Sequence, residues 1–311
     1  MRHTGSSMAE AETSSPHSRH RRSIDMTASA LMTLFCLALG FQQVAMKAVA
    51  MEIPTLAQVA LRSTMAALLV MLLMRWRGIP LSSLLSHARP GALVGVGFAA
   101  EFTFVAWGLN YTLASHMSVF LYTAPVFAAL GLHWLVPGEQ LHHHQWWGVA
   151  LAFAGMVIAM APTPTRLDEP GLLLGDALGL LAGLSWAATT LVLRSSTLSE
   201  APPEQTLCYQ LVVAGLLLLP AAFFMGDLQA IDLSGPAVAS LAFQTLVISF
   251  GALLLWFALL RRYKASQLGI FSFLSPLFGV LFGALLLDEP LTLNFVLGGI
   301  VILGGIILVS R

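Results

Sequence analysis

Charge is what this chain has least of. Its 311 residues hold 15 Lys and Arg and 15 Asp and Glu, 10% in all, where an average soluble domain carries about 25%. A fold surrounded by water could not cover itself with so few, and 57% of the residues are hydrophobic. The solvent is therefore expected to be lipid. The balance of charge is zero, so its total points to no partner, and no nucleic-acid partner is expected. Cysteine is nearly absent. Cys36 and Cys208 both lie in apolar runs with neither a CxxC nor a Cys/His spacing, and they read as inert buried thiols rather than a disulfide or metal site. No GxxxxGK[ST] loop occurs, which speaks against ATP drive within the chain, and no glycine-rich dinucleotide motif sits in a soluble stretch. No cofactor and no metal is expected. Acid, base and metal-ligating side chains are scattered rather than clustered at one depth, so the chain is not expected to be an enzyme.

Residues 1–25 differ from the rest: they are rich in Ser, His and Arg and poor in apolar residues. They read as a disordered cytoplasmic tail. They are not a signal peptide, because the apolar run that follows is too long and lacks a small-residue cleavage site. His17 and His20 are too little to make a metal site.

Apolar runs of about 20 residues can cross the hydrocarbon core as helices. Ten are legible, near 26–48, 56–74, 91–110, 114–136, 146–162, 171–192, 206–225, 237–260, 265–287 and 292–310. With the N-terminus in the cytoplasm, the cytoplasmic side collects the tail arginines, Arg75, Arg77, Arg89, Arg194, Arg261, Arg262, Lys264 and Arg311, while the outer side receives little beyond Arg166. That asymmetry places both termini in the cytoplasm.

One stretch occurs twice. Tyr111, Pro125, Glu139, Gly148 and Gly155 return as Tyr263, Pro276, Glu289, Gly298 and Gly305, and from Glu139 to Glu289 onward the offset is 150 residues without a gap. Lys47 likewise matches Arg194, Pro54 matches Pro202, and Arg62 matches Gln210. Five crossings per half is an odd number, so the second half must enter the membrane upside down relative to the first. The expected fold is therefore all-α and polytopic: ten transmembrane helices as two inverted-topology five-helix repeats. Residues 26–162 form the first repeat, 163–170 an outer connector, and 171–311 the second.

The segment Ala106 to Ser115 followed by Pro125 and Glu139, and the segment Leu259 to Ser266 followed by Pro276 and Glu289, resemble the EamA-type repeat of the drug/metabolite transporter superfamily. Gly40 to Lys47 resembles that family's first-helix signature. The resemblance spans about 26–310 and rests on the order, duplication and spacing of motifs that are each unspecific. It implies ten helices around a central cavity and the movement of small polar metabolites, such as amino acids or their derivatives, across a bacterial inner membrane. It favours export over uptake. It carries no universal substrate-binding motif, so no site residue transfers from it.

The candidate site residues come from the chain itself. Glu101 lies about ten residues into its helix, roughly 15 Å deep, where a carboxyl is costly and suggests substrate or proton handling. Arg62 lies roughly 10 Å deep and either pairs with Glu101 as a structural ion pair or meets a substrate carboxylate. Gln42, Gln43, Trp107, Tyr122, Ser185, Trp186, Gln244, Ser249, Trp256 and Ser272 are the remaining polar and aromatic candidates for a cavity that would suit a zwitterionic or amphipathic metabolite. Pro125 and Pro276 each remove a mid-membrane hydrogen bond, freeing the carbonyls of Leu121 and Ser272, and read as gating kinks, with a static kink that only improves packing as the alternative. Gly148, Gly155, Gly298 and Gly305 lie a heptad apart in pairs and read as helix-packing faces that join the halves or support a homodimer. Lys47 and Arg194 read as interfacial, snorkelling side chains. His116 and His133 read as hydrogen-bonded buried imidazoles, and His142, His143 and His144 as a cytoplasmic turn beside a Trp146–Trp147 belt.

Overall fold

Hydrocarbon offers backbone groups no partners, so an apolar chain of this kind must satisfy them within helices. The computed structural model describes residues 21–112, 114–159, 171–286 and 291–310, with the backbone alone for Gln43, Ala114, Ser115, His116, Ser118 and Ser310. The first twenty residues, with His17 and His20, the connector 163–170, and Asp288, Glu289 and Pro290 lie outside the described residues. So do the side chains of Gln43 and His116.

The helices are α1 (Met26–Ala48), α2 (Thr55–Trp76), α3 (Ala88–Gly108), α4 (Ala114–Leu121), α5 (Ala124–Leu135), α6 (His143–Ala159), α7 (Leu172–Ser195) and α8 (Pro203–Phe224). Then follow α9 (Gly235–Phe243), a π-helical stretch Gln244–Ala252, α10 (Leu253–Arg262), α11 (Ala265–Phe271), α12 (Leu274–Leu286) and α13 (Leu293–Ser310). Among the described residues, seven stretches are long and apolar enough to cross a membrane: 26–48, 55–76, 88–108, 172–195, 203–224, 235–262 and 265–286. The stretches 119–135 and 293–309 are apolar but shorter. The expectation of ten spans is thus met in part by length. The chain is an all-helical, polytopic membrane protein.

Local chemistry sets the helix ends. Asp25 caps α1, its carboxylate accepting the Ala28 N–H at 2.7 Å. Ser234 caps α9 by accepting the Ala237 N–H at 3.1 Å. Pro203 opens α8, where its missing N–H costs nothing. The two prolines of the repeat do more than kink. The helix stops at Tyr122–Thr123, just before Pro125, and again at Ser272–Phe273, just before Pro276. The carbonyl of Ser272 accepts the Ser275 N–H at 2.9 Å, and the Thr123 N–H and hydroxyl both go to the carbonyl of Phe120. Gly183 of α7 lies against the first break: a Cβ there would sit 2.7 Å from the Phe120 carbonyl oxygen and 2.9 Å from that of Leu121. Only glycine permits that approach without a shift.

The most extensive helix contacts are α6 on α13, α3 on α7, α2 on α8, and α1 on α12, with α3 also against α8 and α7 against α4 and α5. In the α6–α13 pair the duplicated glycines are the contact. A Cβ on Gly155 would fall 2.8 Å from the Gly298 carbonyl oxygen, and one on Gly148 would fall 2.8 Å from that of Gly305. These glycines therefore join two helices of one chain.

One end of the bundle gathers both ends of the described chain. Arg22 pairs with the backbone at Arg262 and Lys264 through bonds of 3.0 and 3.1 Å, and the Val309 carbonyl accepts from Gln145 and Gln267. This is the tail end of the bundle. At the far end the Ser234 hydroxyl donates to Glu52 and the Thr112 hydroxyl to Asp176.

Candidate functional site

Between the helices lies a cavity of about 520 Å³, a size typical of small-molecule sites. Arg62 enters it from α2 and Glu101 from α3. Arg62 is buried, 3% exposed. Its guanidinium lies over the Phe102 ring at 5.2 Å and its Nη1 is 3.9 Å from the Met46 sulfur, while its Nε has no partner. Glu101 is half-buried. The two charges act on each other, yet no direct ion pair joins them in the described structure. The alternative of a structural Glu101–Arg62 pair is therefore not what the geometry shows. Both charges face a shared space with bonding capacity left over.

Aromatic rings form much of the wall. Phe35 stacks on Trp256 at 5.4 Å between ring centres, and Tyr122 meets Trp186 edge-on at 5.5 Å. Gln42 and Ser272 add polar atoms, and Pro276 lies on the wall itself. Of the residues singled out by sequence, Arg62, Glu101, Gln42, Tyr122, Trp186, Trp256, Ser272 and Pro276 thus come together around one cavity.

The others do not. Trp107 is 44% exposed, on the outside of α3. Ser185 is off the wall, and its carbonyl accepts the Thr189 hydroxyl. Gln244 is fully buried, donating to Gln58 at 2.7 Å and to Ser240 at 3.1 Å. Ser249 is also buried away from the wall. Pro125 is buried against Gly269. Each of these sits on a helix face that periodicity alone does not assign, because a helix whose outer face meets lipid is apolar nearly all round and shows no clear polar stripe. Gln43 lies on α1, with its side chain undescribed.

Lys47, Thr189, Thr190 and Gln210 line the cavity without having been singled out for it. Gln210 carried a signal, as the repeat partner of Arg62, and Thr189–Thr190 is a polar pair within an apolar run. Lys47, read as interfacial, contributes to the cavity wall. Arg194 departs further from that reading. It is 7% exposed and forms a 2.5 Å ion pair with Glu139, itself 2% exposed. Snorkelling gives way to pairing because a carboxylate is brought to the same depth. His133 accepts the Leu141 N–H at 3.3 Å, as a hydrogen-bonded imidazole should.

The cavity is unequal at its two ends. Toward the far end its wall includes Lys47 and Leu109, both exposed. Toward the tail end it stops at Leu193 and Leu260, which are 5% and 2% exposed.

A profile described as the EamA-like transporter family matches this chain twice, over residues 26–161 and 173–311. A protein of Archaeoglobus fulgidus named "Uncharacterized transporter" is 30% identical over 246 residues, which cover 77% of this chain and 83% of the relative. A protein of Escherichia coli (strain K12) named "Probable amino-acid metabolite efflux pump" is 27% identical, covering 89% of this chain and 92% of the relative. A crystal structure superposes with a TM-score of 0.79 at 16% identity, covering 91% of this chain and 97% of that one, a likeness of fold alone.

Proposed function

The chain belongs to the EamA-like transporter family, and on that premise we propose that it is a secondary transporter of zwitterionic metabolites, amino acids or their derivatives, working by alternating access. The observation that carries the reading is the meeting of Arg62 and Glu101, opposite in charge and not bonded to each other, in one aromatic-walled cavity of about 520 Å³. A substrate carboxylate meets the guanidinium, an ammonium meets the carboxylate, and the rings cover the apolar part. The E. coli relative's name supports an amino-acid-like substrate and outward transport.

The proposed architecture is ten crossings in two inverted repeats, 26–162 and 171–311, in a bacterial inner membrane with both termini cytoplasmic. The helix contacts support it. Exchanging the halves maps α1 onto α7, α2 onto α8, α3 onto the α9–α10 stretch, α4–α5 onto α11–α12, and α6 onto α13. Under that exchange the α3–α7 contact becomes the one between α1 and the π-helical stretch, and α4–α7 becomes α1–α11. The α2–α8 and α6–α13 contacts map onto themselves. The paired breaks at Tyr122–Thr123 and Ser272–Phe273 point the same way. The tail end of the bundle is then the cytoplasmic one.

The test is uptake and exchange of a labelled amino-acid panel by purified protein in liposomes. Saturable flux that Arg62→Ala abolishes and Arg62→Lys partly restores is the expected result. Flux that never saturates, or that is untouched by both Arg62→Ala and Glu101→Gln, would refute the site. Glu101 also gives a second reading within the same class, in which it carries a proton with each cycle. Flux unchanged by a pH gradient leaves a facilitator driven by the substrate gradient alone.

A further inference from the structure

The Glu139–Arg194 pair lies where the cavity ends. Arg194 directly follows Leu193, which closes the cavity floor, and Tyr263 comes one helical turn after Leu260, which closes it from the other side. The pair ties together three separate pieces of chain. Glu139 comes from the turn between α5 and α6, Arg194 from the last turn of α7, and both bind the α10–α11 joint. The Glu139 carboxylate accepts from the Ala265 N–H at 3.3 Å, the Ser266 N–H at 3.5 Å and the Ser266 hydroxyl at 3.4 Å. Arg194 donates to the Tyr263 carbonyl at 2.5 Å.

We propose that this buried pair, held on the first turn of α11, is the gate that shuts the cavity from the tail end, and that transport requires it to part. The proposal rests on the transport reading above. Three features of the contact carry it. First, a buried ion pair adds little net stability over an apolar contact of the same shape, because both charges have left water. Its best-attested use is to fix one of two arrangements. Second, the bonds from Ala265 and Ser266 are long and the Arg194 Nε has no partner, so the contact is one that can be exchanged. Third, α11 has seven residues and ends at the Ser272–Phe273 break, with the cavity-lining Ser272 and Pro276 immediately beyond. Releasing its first turn frees a short rod that pivots at the cavity wall. A second layer lies outside the pair. Arg21 bonds Glu200 and the Ser199 carbonyl, and the Tyr263 hydroxyl donates to Asp25 at 2.9 Å.

The test needs no substrate. In a chain with Cys36→Ala and Cys208→Ala, Thr189→Cys places one thiol on the cavity wall. A membrane-impermeant methanethiosulfonate is applied to right-side-out cells and to inverted vesicles. In the parent, labelling is expected to be fast from outside and slow in inverted vesicles. Glu139→Gln should speed labelling in inverted vesicles about tenfold or more and slow it from outside, because it removes the carboxylate that Arg194 pairs with. Arg194→Gln should do the same, and Ser266→Ala, which removes only a hydroxyl donor, should do so by a smaller factor. Glu139→Gln keeps the size of the side chain and one acceptor oxygen for the Ala265 or the Ser266 N–H, so it serves if Arg194→Gln fails to fold. Equal labelling of parent and Glu139→Gln in inverted vesicles would overturn the gate, and so would a parent that labels fast from both faces. Flux in liposomes separates the two ideas. Flux with unchanged labelling retires the gate and keeps transport, and changed labelling with no flux in the parent keeps the gate and retires transport.

Discussion

Two neighbouring glycines on α13 make opposite predictions. A Cβ added at Gly298 would lie 2.4 Å from both the Ala159 nitrogen and the Gly155 carbonyl oxygen of α6. These are backbone atoms in a helix and cannot turn aside, so reaching an ordinary contact near 3.4 Å requires the two helices to separate by about 1 Å. That separation strips close contacts along the whole seam, and overpacking of this kind costs about 1–3 kcal/mol. Gly299 is one residue away, but a Cβ there meets only the tip of Leu277 at 3.7 Å. Gly299→Ala gains helix propensity, about 0.5–1 kcal/mol, and loses nothing. The same contrast holds between Gly305, whose Cβ would lie 2.5 Å from the Ala152 nitrogen, and Gly304, whose Cβ would lie 3.7 Å from the tip of Leu151. The assay is thermal or denaturant unfolding of purified protein in one detergent. Gly298→Ala and Gly305→Ala should lower stability, while Gly299→Ala and Gly304→Ala should leave it equal or raised. If all four behave alike, the seam is not a backbone contact and the argument from small residues fails.

The remaining expectations concern the polar sites. Removing one member of the Glu139–Arg194 pair should cost about 3–5 kcal/mol, while Glu139→Leu with Arg194→Leu should cost less than the sum of the single changes, read by a double-mutant cycle of unfolding. Trp186→Ala should raise the KM for transport, since that ring lines the cavity, and Trp107→Ala should not. Asp25 is held below its ordinary 3.8 by the Ala28 N–H and then by the Tyr263 hydroxyl. Burial, and then the bond to Asp25, push Tyr263 above its ordinary 10.0. A depressed carboxylate stabilises above its ordinary value and loses that as pH falls through the folded value, and a raised phenol stabilises below its own ordinary value. Protection of the Ala28 amide from hydrogen exchange, corrected for intrinsic rate, should therefore be flat between about pH 5 and 9 and fall in stronger acid or stronger base. A midpoint near neutrality would refute that assignment.

How much of this could be read from the chain depended on the kind of signal. The helices were legible because long apolar runs admit no other backbone state in lipid. The helix breaks beside Pro125 and Pro276 were legible because proline removes a donor wherever it sits. The joining of α6 to α13 by Gly148, Gly155, Gly298 and Gly305 was legible as one of two open outcomes. Depth picked out Arg62 and Glu101, because a charge deep in an apolar helix stands alone against its neighbours. Facing was not legible. Gln244, Trp107 and Ser185 have the same composition as true wall residues, and only tertiary packing decides which side of a helix meets the hollow. The fate of Arg194 was hidden for the same reason. Nothing near it in sequence announces Glu139, 55 positions earlier, and the repeat had matched it to Lys47 instead. The π-helical stretch Gln244–Ala252 left no trace in composition either.

The strand-like bond between Arg22 and the Tyr263 region sets an order on biosynthesis. Its neighbour Arg21 binds a carbonyl 240 residues downstream. At synthesis speeds of about 5–20 residues per second, the start of the chain waits roughly 12–48 s for its partner to be made. Throughout that interval α1 can already be threaded into the bilayer, but its lead-in has nothing to anneal to. The lower seal of the molecule is therefore one of the last things a ribosome makes possible, and a newly inserted chain stays open at its base until the α10–α11 joint arrives.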